Sequence, residues 1–276
     1  MVEPAARLWT LDGLGGLRLM RAHFAGHAFA RHGHETFAIG VIQAGAEEIR
    51  FKDGVERVGP GAVVLINPEV VHTGTAMAGG WRYRVLYPSC EVLTELGGDR
   101  GKPFFPNRVS YDDGAARLLV RAHAAAETED ALTAESVLRL ALAWLLRAHG
   151  NSSAVSVPPP IRGDFVVQAR ALLYERLLDP PSLEELATAT GTRPFTLLRS
   201  FREAYGLPPH AFLTQVRVRN AQRLLEGGSP PAEVAAKVGF FDQAHLTRHF
   251  RRILGVPPGV YQRGCNFVQA SSSAPS

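Results

Sequence analysis

Only two cysteines occur in the 276 residues, Cys90 and Cys265. They are too few for a disulfide scaffold or an all-cysteine zinc site, and such sparse use suits a reducing compartment. No apolar run reaches the roughly 18 residues of a membrane span, because Arg139 and Arg147 interrupt the best candidate. The opening stretch MVEPAARLWTLDG lacks the basic-then-apolar pattern of a secretion signal, so the expected location is cytoplasmic, with no membrane partner. The charge excess is small, 30 Lys plus Arg against 26 Asp plus Glu. A hydrophobic share of 46% and a charged share of 20% exclude a disordered chain.

That excess is unevenly placed. From residue 161 onward there are 14 basic and 9 acidic residues; upstream there are 16 and 17. The basic half therefore points to an anionic partner. Between the halves, NSSAVSVPPP (151–160) is polar and then proline-stiffened, as a linker would be. The tail after Cys265, ending ASSSAPS, is expected to be disordered.

Upstream, residues 37–43, 48–52 and 62–66 are β-rich segments separated by glycine or proline turns, which suggests a small barrel or sandwich. Residues 112–149 switch to helical periodicity. There Val137, Leu138, Leu142, Leu145 and Leu146 share one face, and Asp112 or Asp113 is placed to cap a helix. After the linker the pattern is helical throughout. The fold class is α+β with two domains of different kind.

An internal repeat is the most informative feature. LLRSFREAYGLPPHAF (197–212) aligns without gaps with LTRHFRRILGVPPGVY (246–261). In each copy Leu and Phe four apart point into a core, while the Arg between them points elsewhere. Glycine then ends the helix and a proline pair starts the next segment. A short helix precedes each copy. The first has Ser182 and Glu185 in a capping box, with Ala187 and Gly191 allowing close contact and a tight turn. Ala235 and Gly239 repeat that design. Two helices joined by a tight glycine turn form a helix-turn-helix, whose second helix can enter a DNA major groove. Between the two units, residues 209–226 predict a connecting helix of about 27 Å, against about 34 Å for one turn of duplex DNA.

These residues resemble the AraC/XylS family of bacterial transcription regulators, whose signature is AAKVGFFDQAHLTRHFRRILGVPPGVYQR (235–263). The resemblance implies a seven-helix domain that binds double-stranded promoter DNA. It places Phe195, Thr196, Leu198 and Arg199 of the first unit, and Gln243, Ala244, His245, Thr247 and Arg248 of the second, against base edges. Arg199 and Arg248 suit guanine, Gln243 suits adenine, and Ala244 suits a thymine methyl. Arg193, Arg202, Arg251 and Arg252 suit phosphate contacts, which give affinity without sequence information. The family's Ser or Thr at the start of the first recognition helix is replaced by Arg193 after Thr192. Either Thr192 caps one residue early, or the cap is lost and Arg193 takes a phosphate. Leu198 at a polar groove position implies that the second unit dominates specificity.

The stretches HGHETFAIGVIQAG (32–45) and GPGAVVLINPEVVH (59–72) resemble a cupin-type effector domain. His32, His34 and His72 match three of the four metal ligands of cupin enzymes. The expected Glu is absent, with Ala38 and Ile39 in its place, and Glu35 should face away from His34. A metal-free pocket for an organic effector is the favoured reading, with no cofactor. His32, His34, Phe37, His72, Trp81, Tyr83 and Arg84 are its candidate lining, and metal on the three histidines is the alternative. The resulting domains are an effector barrel (1–110), a helical segment (111–150), a linker (151–163), a DNA-binding domain (164–264) and a tail (265–276). The helical hairpin matches the family's dimerisation region, with Leu138, Leu142 and Leu145 as candidate seam or as packing within their own chain.

The expected function is an effector-controlled transcription activator, a homodimer that works with RNA polymerase and performs no catalysis. Two alternatives stand beside it. One is a metal-dependent cupin enzyme fused to a DNA-binding module; the other is a constitutive DNA binder whose barrel only dimerises.

Overall fold

β-branched and alternating segments build the first half. A computed structural model describes residues 5–97, 101–150 and 164–269; the expected linker lies outside them. Strands β1 (Ala5–Leu11), β2 (Leu17–Phe24), β3 (Ala38–Arg50), β4 (Val55–Val58), β5 (Val63–Ile66), β6 (Thr73–Tyr87) and β7 (Val109–Ser110) form one antiparallel sheet. Its order is β1-β2-β6-β3-β5-β7, with β4 paired to β3. Segments 37–43 and 48–52, expected to be separate strands, are joined in β3. Bulges between Ile42 and Ala44 and between Gly45 and Glu47 let that strand bend without ending.

The sheet buries both faces. One carries Leu17, Leu19, Ile39, Val41, Val63, Leu65 and Leu86, packed with helices α1 (Cys90–Gly97), α2 (Asp113–Thr128) and α3 (Ala131–His149). The other, inner face carries Met20, Ala22, Ile42, Trp81, Tyr83 and Val85, all buried. Asp112 caps α2 by accepting from Ala115 N–H at 3.0 Å, as expected. Leu138, Leu142 and Leu145 are fully buried in the core beneath the sheet, so they are packing residues of their own chain and not a seam between chains. Each such leucine contributes about 1.5–3 kcal/mol by burial.

Among the described residues the second half carries seven helices: α4 (Asp164–Glu175), α5 (Leu183–Ala189), α6 (Pro194–Tyr205), α7 (Pro209–Glu226), α8 (Pro231–Lys237), α9 (Gln243–Leu254) and α10 (Pro258–Gln269). The repeat is explicit in the packing, since Leu197, Phe201, Leu246 and Phe250 are all fully buried. Gly206 and Gly255 end α6 and α9 at φ of 74° and 79°, a left-handed conformation that suits glycine. Pro209 and Pro258 then open α7 and α10. Helix α10 continues through Gln269, into the stretch expected as a tail from residue 265; residues 270–276 lie outside the described ones. Among the described residues no helix is long and apolar enough to cross a membrane.

Candidate DNA-reading helices and effector site

The two helix-turn-helix units close in the same way. Thr192 N–H donates to Ala187 O at 2.9 Å, and Phe240 N–H donates to Ala235 O at 2.9 Å. The glycine of each turn, Gly191 and Gly239, has φ of 64° and 84°. The buried Leu and Phe anchor one face of each second helix, leaving the opposite face to solvent. On α6 that face carries Phe195, Thr196, Arg199 and Arg202; on α9 it carries Gln243, Ala244, Arg248, Arg251 and Arg252. Three arginines and no carboxylate lie within α9, whereas on α6 Arg199 Nε donates to Glu203 at 3.0 Å. That pair is exposed on both sides, so it holds Arg199 weakly and leaves it able to exchange to a stronger anion.

The helix starts differ. Asp242 caps α9 by accepting from His245 N–H at 2.6 Å. The N-cap of α6 is Arg193, without a side-chain cap bond, and Pro194 follows at the first helical position. Thr192 therefore does not cap the helix, and proline's fixed φ and missing N–H do part of a cap's work. The connector α7 has the 18 residues expected.

On the inner face of the sheet, aromatic rings meet polar groups. Trp81 stacks with Tyr83 at 5.8 Å between centroids and lies 5.2 Å from Phe24. The rings of His34 and His72 are 5.3 Å apart, and Tyr87 lies 5.3 Å from His34. His72 Nδ1 lies 2.9 Å from Val70 O and His32 Nδ1 lies 2.7 Å from Ala30 O. A carbonyl only accepts, so the proton sits on Nδ1 and, in the neutral ring, the lone pair on Nε2. Burial pushes His72 down to about 4, which keeps it neutral at pH 7. Glu47 also faces inward: burial pushes its carboxyl up to about 8, while burial first, and the Glu47 charge only in a lesser degree, opposes ionisation of Tyr83 and Tyr87.

Residues 14–146 match the model of the AraC-like ligand binding domain, and residues 186–264 match a helix-turn-helix domain. The chain is 33% identical to the multiple antibiotic resistance protein MarA of Salmonella typhimurium over 94 residues, 33% of this chain and 72% of that protein. The chain belongs to the AraC family of transcription regulators. Similarity also extends across both halves: it is 28% identical over 225 residues to the uncharacterized HTH-type transcriptional regulator YbfI of Bacillus subtilis, covering 79% of this chain and 81% of that one. The fold resembles wild-type ToxT of Vibrio cholerae solved with an unsaturated fatty acid, with a TM-score of 0.55 and 14% identity over 97% of this chain and 99% of that one. This AraC-family chain thus joins a ligand-binding domain to a DNA-binding helix-turn-helix domain.

Of the expected pocket residues, Trp81 and Tyr83 stack on one another, and His34 and His72 form a second ring pair. Two do not belong there. Phe37 packs edge-to-face on Phe105 in the core beneath the helices, with ring centroids 5.7 Å apart. Arg84 lies on the opposite face from Tyr83, as strand alternation requires, and pairs with Glu127 of α2. There it also donates to His123 Nδ1 at 2.8 Å, while His123 Nε2 donates to Met20 O at 3.1 Å. Arg21, whose side chain is partly exposed, completes this network on Glu127 at 2.8 Å.

His32 and His34 are neighbours through the chain itself, being two residues apart. One ring nitrogen from each of His32, His34 and His72 lies within 4.8 Å of the others. Three imidazoles fit three corners of a zinc or iron site, but among the described residues no carboxylate joins them in that cluster.

On the DNA-binding side, Leu198 and Thr247 are half-buried, and His245 packs against Phe240 and His249. Its Nδ1 accepts weakly from Phe241 N–H at 3.4 Å. Sequence reasoning passes over Phe241, which is 92% exposed directly before the α9 cap, nearly matching Phe195 at 76%. It also passes over Glu47. Asp242 was legible in principle, as an Asp immediately before the recognition helix.

Proposed function

We propose that a small-molecule effector bound on the inner face of the sheet domain controls how α6 and α9 read promoter DNA, and that the output is activation. The observation that carries this reading is the duplicated helix-turn-helix with identical turn bonds and outward arginines on both second helices. The similarity to the transcriptional activator NphR of Rhodococcus, 27% identical over 83% of this chain and 70% of that one, supports activation. Base edges are read by Phe195, Thr196, Leu198 and Arg199 and by Gln243, Ala244, His245, Thr247 and Arg248. Arg193, Arg202, Arg251 and Arg252 hold phosphates. His34, His72, Trp81 and Tyr83 line the effector site, with His32 beside them.

The effector acts by binding one state of the regulator more tightly than another, which changes DNA affinity by that differential. No catalytic step is needed, and the protein works in the cytoplasm with RNA polymerase as the recipient of its signal. A homodimer places two such readers on a repeated operator. Leu132 and Leu140, exposed on α3, are the apolar side chains such a dimer would cover.

Binding-site selection on the full chain tests the reading. Recovery of paired half-sites about one helical turn apart is the expected result; enrichment of no sequence, with and without cell extract as effector source, overturns it. A second reading rests on the imidazole cluster: stoichiometric zinc or iron in the purified protein would support metal at His32, His34 and His72.

A further inference from the structure

Among the described residues, Glu47 is an inward-facing carboxyl that neither the DNA-binding reading nor the packing explains. It pairs in register with Val58 of β4 and Ala76 of β6, on the stretch of β3 after its bulges. Its neighbour Glu48 points outward and is held by Arg50 and Arg57. Among the described residues Glu47 has no such partner: burial is what raises its proton affinity. The arginines of β6 cannot serve it, since Arg82 is exposed and Arg84 is committed to Glu127 on the other face.

The space around this carboxyl is kept open by the backbone. Gly74 has an ordinary φ, so its conformation does not demand glycine. A Cβ there would collide with Glu47 Oε1 and come within 3.3 Å of the Phe29 ring. Carboxyl and ring therefore share the room that the missing side chain leaves. Phe29 lies 6.1 Å from Trp81, which stacks on Tyr83. Aromatic faces present negative charge density to a cation, and a carboxylate away from water needs a counter-charge.

We propose that the inner site takes a small organic cation, with an ammonium group of the effector paired to Glu47 among the rings of Phe29, Trp81 and Tyr83. The proposal rests on the reading of this domain as an effector domain and narrows it to one charge class.

The test is thermal unfolding of the full chain with matched probes: phenethylamine, benzyltrimethylammonium, spermidine and agmatine against 2-phenylethanol, 3-phenylpropionate and oleate, with zinc chloride in a separate arm. At least one amine should raise Tm by about 2 °C or more, with a smaller effect from the neutral isostere. The shift should vanish in Glu47→Gln and persist in Glu48→Gln, the outward neighbour. Removing an unpaired carboxyl is expected to leave Glu47→Gln folded, and its own Tm without ligand checks this. Stabilisation by oleate, phenylpropionate or the alcohol, with none by amines, overturns the cation class while leaving an effector domain in place. An amine shift that survives in Glu47→Gln also overturns it. No stabilisation by any organic probe overturns it too, and if operator affinity is then also the same with and without cell extract, the effector reading falls with it.

Discussion

Single side chains separate the two recognition helices. Arg248 sits on a helix with no carboxylate, whereas Arg199 must exchange out of its pair with Glu203. Arg248→Ala should cost about 1–3 kcal/mol in operator binding and relax the preference at one base pair. Competition binding against single-base operator variants measures it, and Arg199→Ala should change the preference less. A larger loss of preference from Arg199→Ala would place specificity in the first unit. A different residue governs acid stability. Burial, and then the neighbouring Arg84 charge, push His123 down to about 4 from an ordinary value near 6.5. On unfolding it takes up a proton that the folded state refuses, so stability falls as pH drops from about 6.5 towards 4. Denaturant unfolding across that window should show a shallower loss for His123→Gln. Glu47 has the opposite sign. Its folded value is raised, so its contribution to stability declines as pH rises from about 4.5 to about 8, by at most about 1.4 kcal/mol per pH unit. Glu47→Gln should remove that slope.

At the scale of elements, the caps of α6 and α9 lead to contrasting outcomes. Asp242→Ala removes a side-chain cap and should destabilise the protein by roughly 0.5–2 kcal/mol. Arg193→Ala removes none and should leave stability within about 0.5 kcal/mol, while lowering DNA affinity. Equilibrium denaturation and binding titrations on the same two variants distinguish these roles. The turns also tolerate little. Gly239 is left-handed, and a Cβ there would press on the Arg217 guanidinium, which donates to Leu177 O at 2.7 Å. Gly239→Ala should therefore cost more than the about 1–2 kcal/mol of left-handed strain alone.

For the whole molecule, DNA affinity should depend steeply on salt, because the arginines on α6 and α9 replace counterions on the phosphates. Removing Arg193, Arg202, Arg251 or Arg252 singly should lower the slope of log K against log salt by about 1 each. The binding measurement needs only the full chain and one selected operator. Assembly is tested separately: Leu140→Glu should lower the apparent mass in sedimentation if α3 joins two copies, and unchanged mass would exclude that face.

The sequence by itself determined the division into a strand-rich and a helical half, the duplicated helix-turn-helix, the capping box at Ser182 and the length of α7. Each depends on local periodicity, on cap chemistry, or on a repeat whose two copies corroborate each other. Only the tertiary structure decided which face of a strand a residue occupies. Along β3, strict alternation would set Ile42 and Glu47, five positions apart, on opposite faces; the bulge between Ile42 and Ala44 puts both inside. The same kind of decision sent Arg84 to Glu127 and Phe37 to Phe105, and buried the leucines of α3 in their own chain. A bulge depends on the partner strand and a burial on the opposing helix, and neither is written in the neighbouring residues.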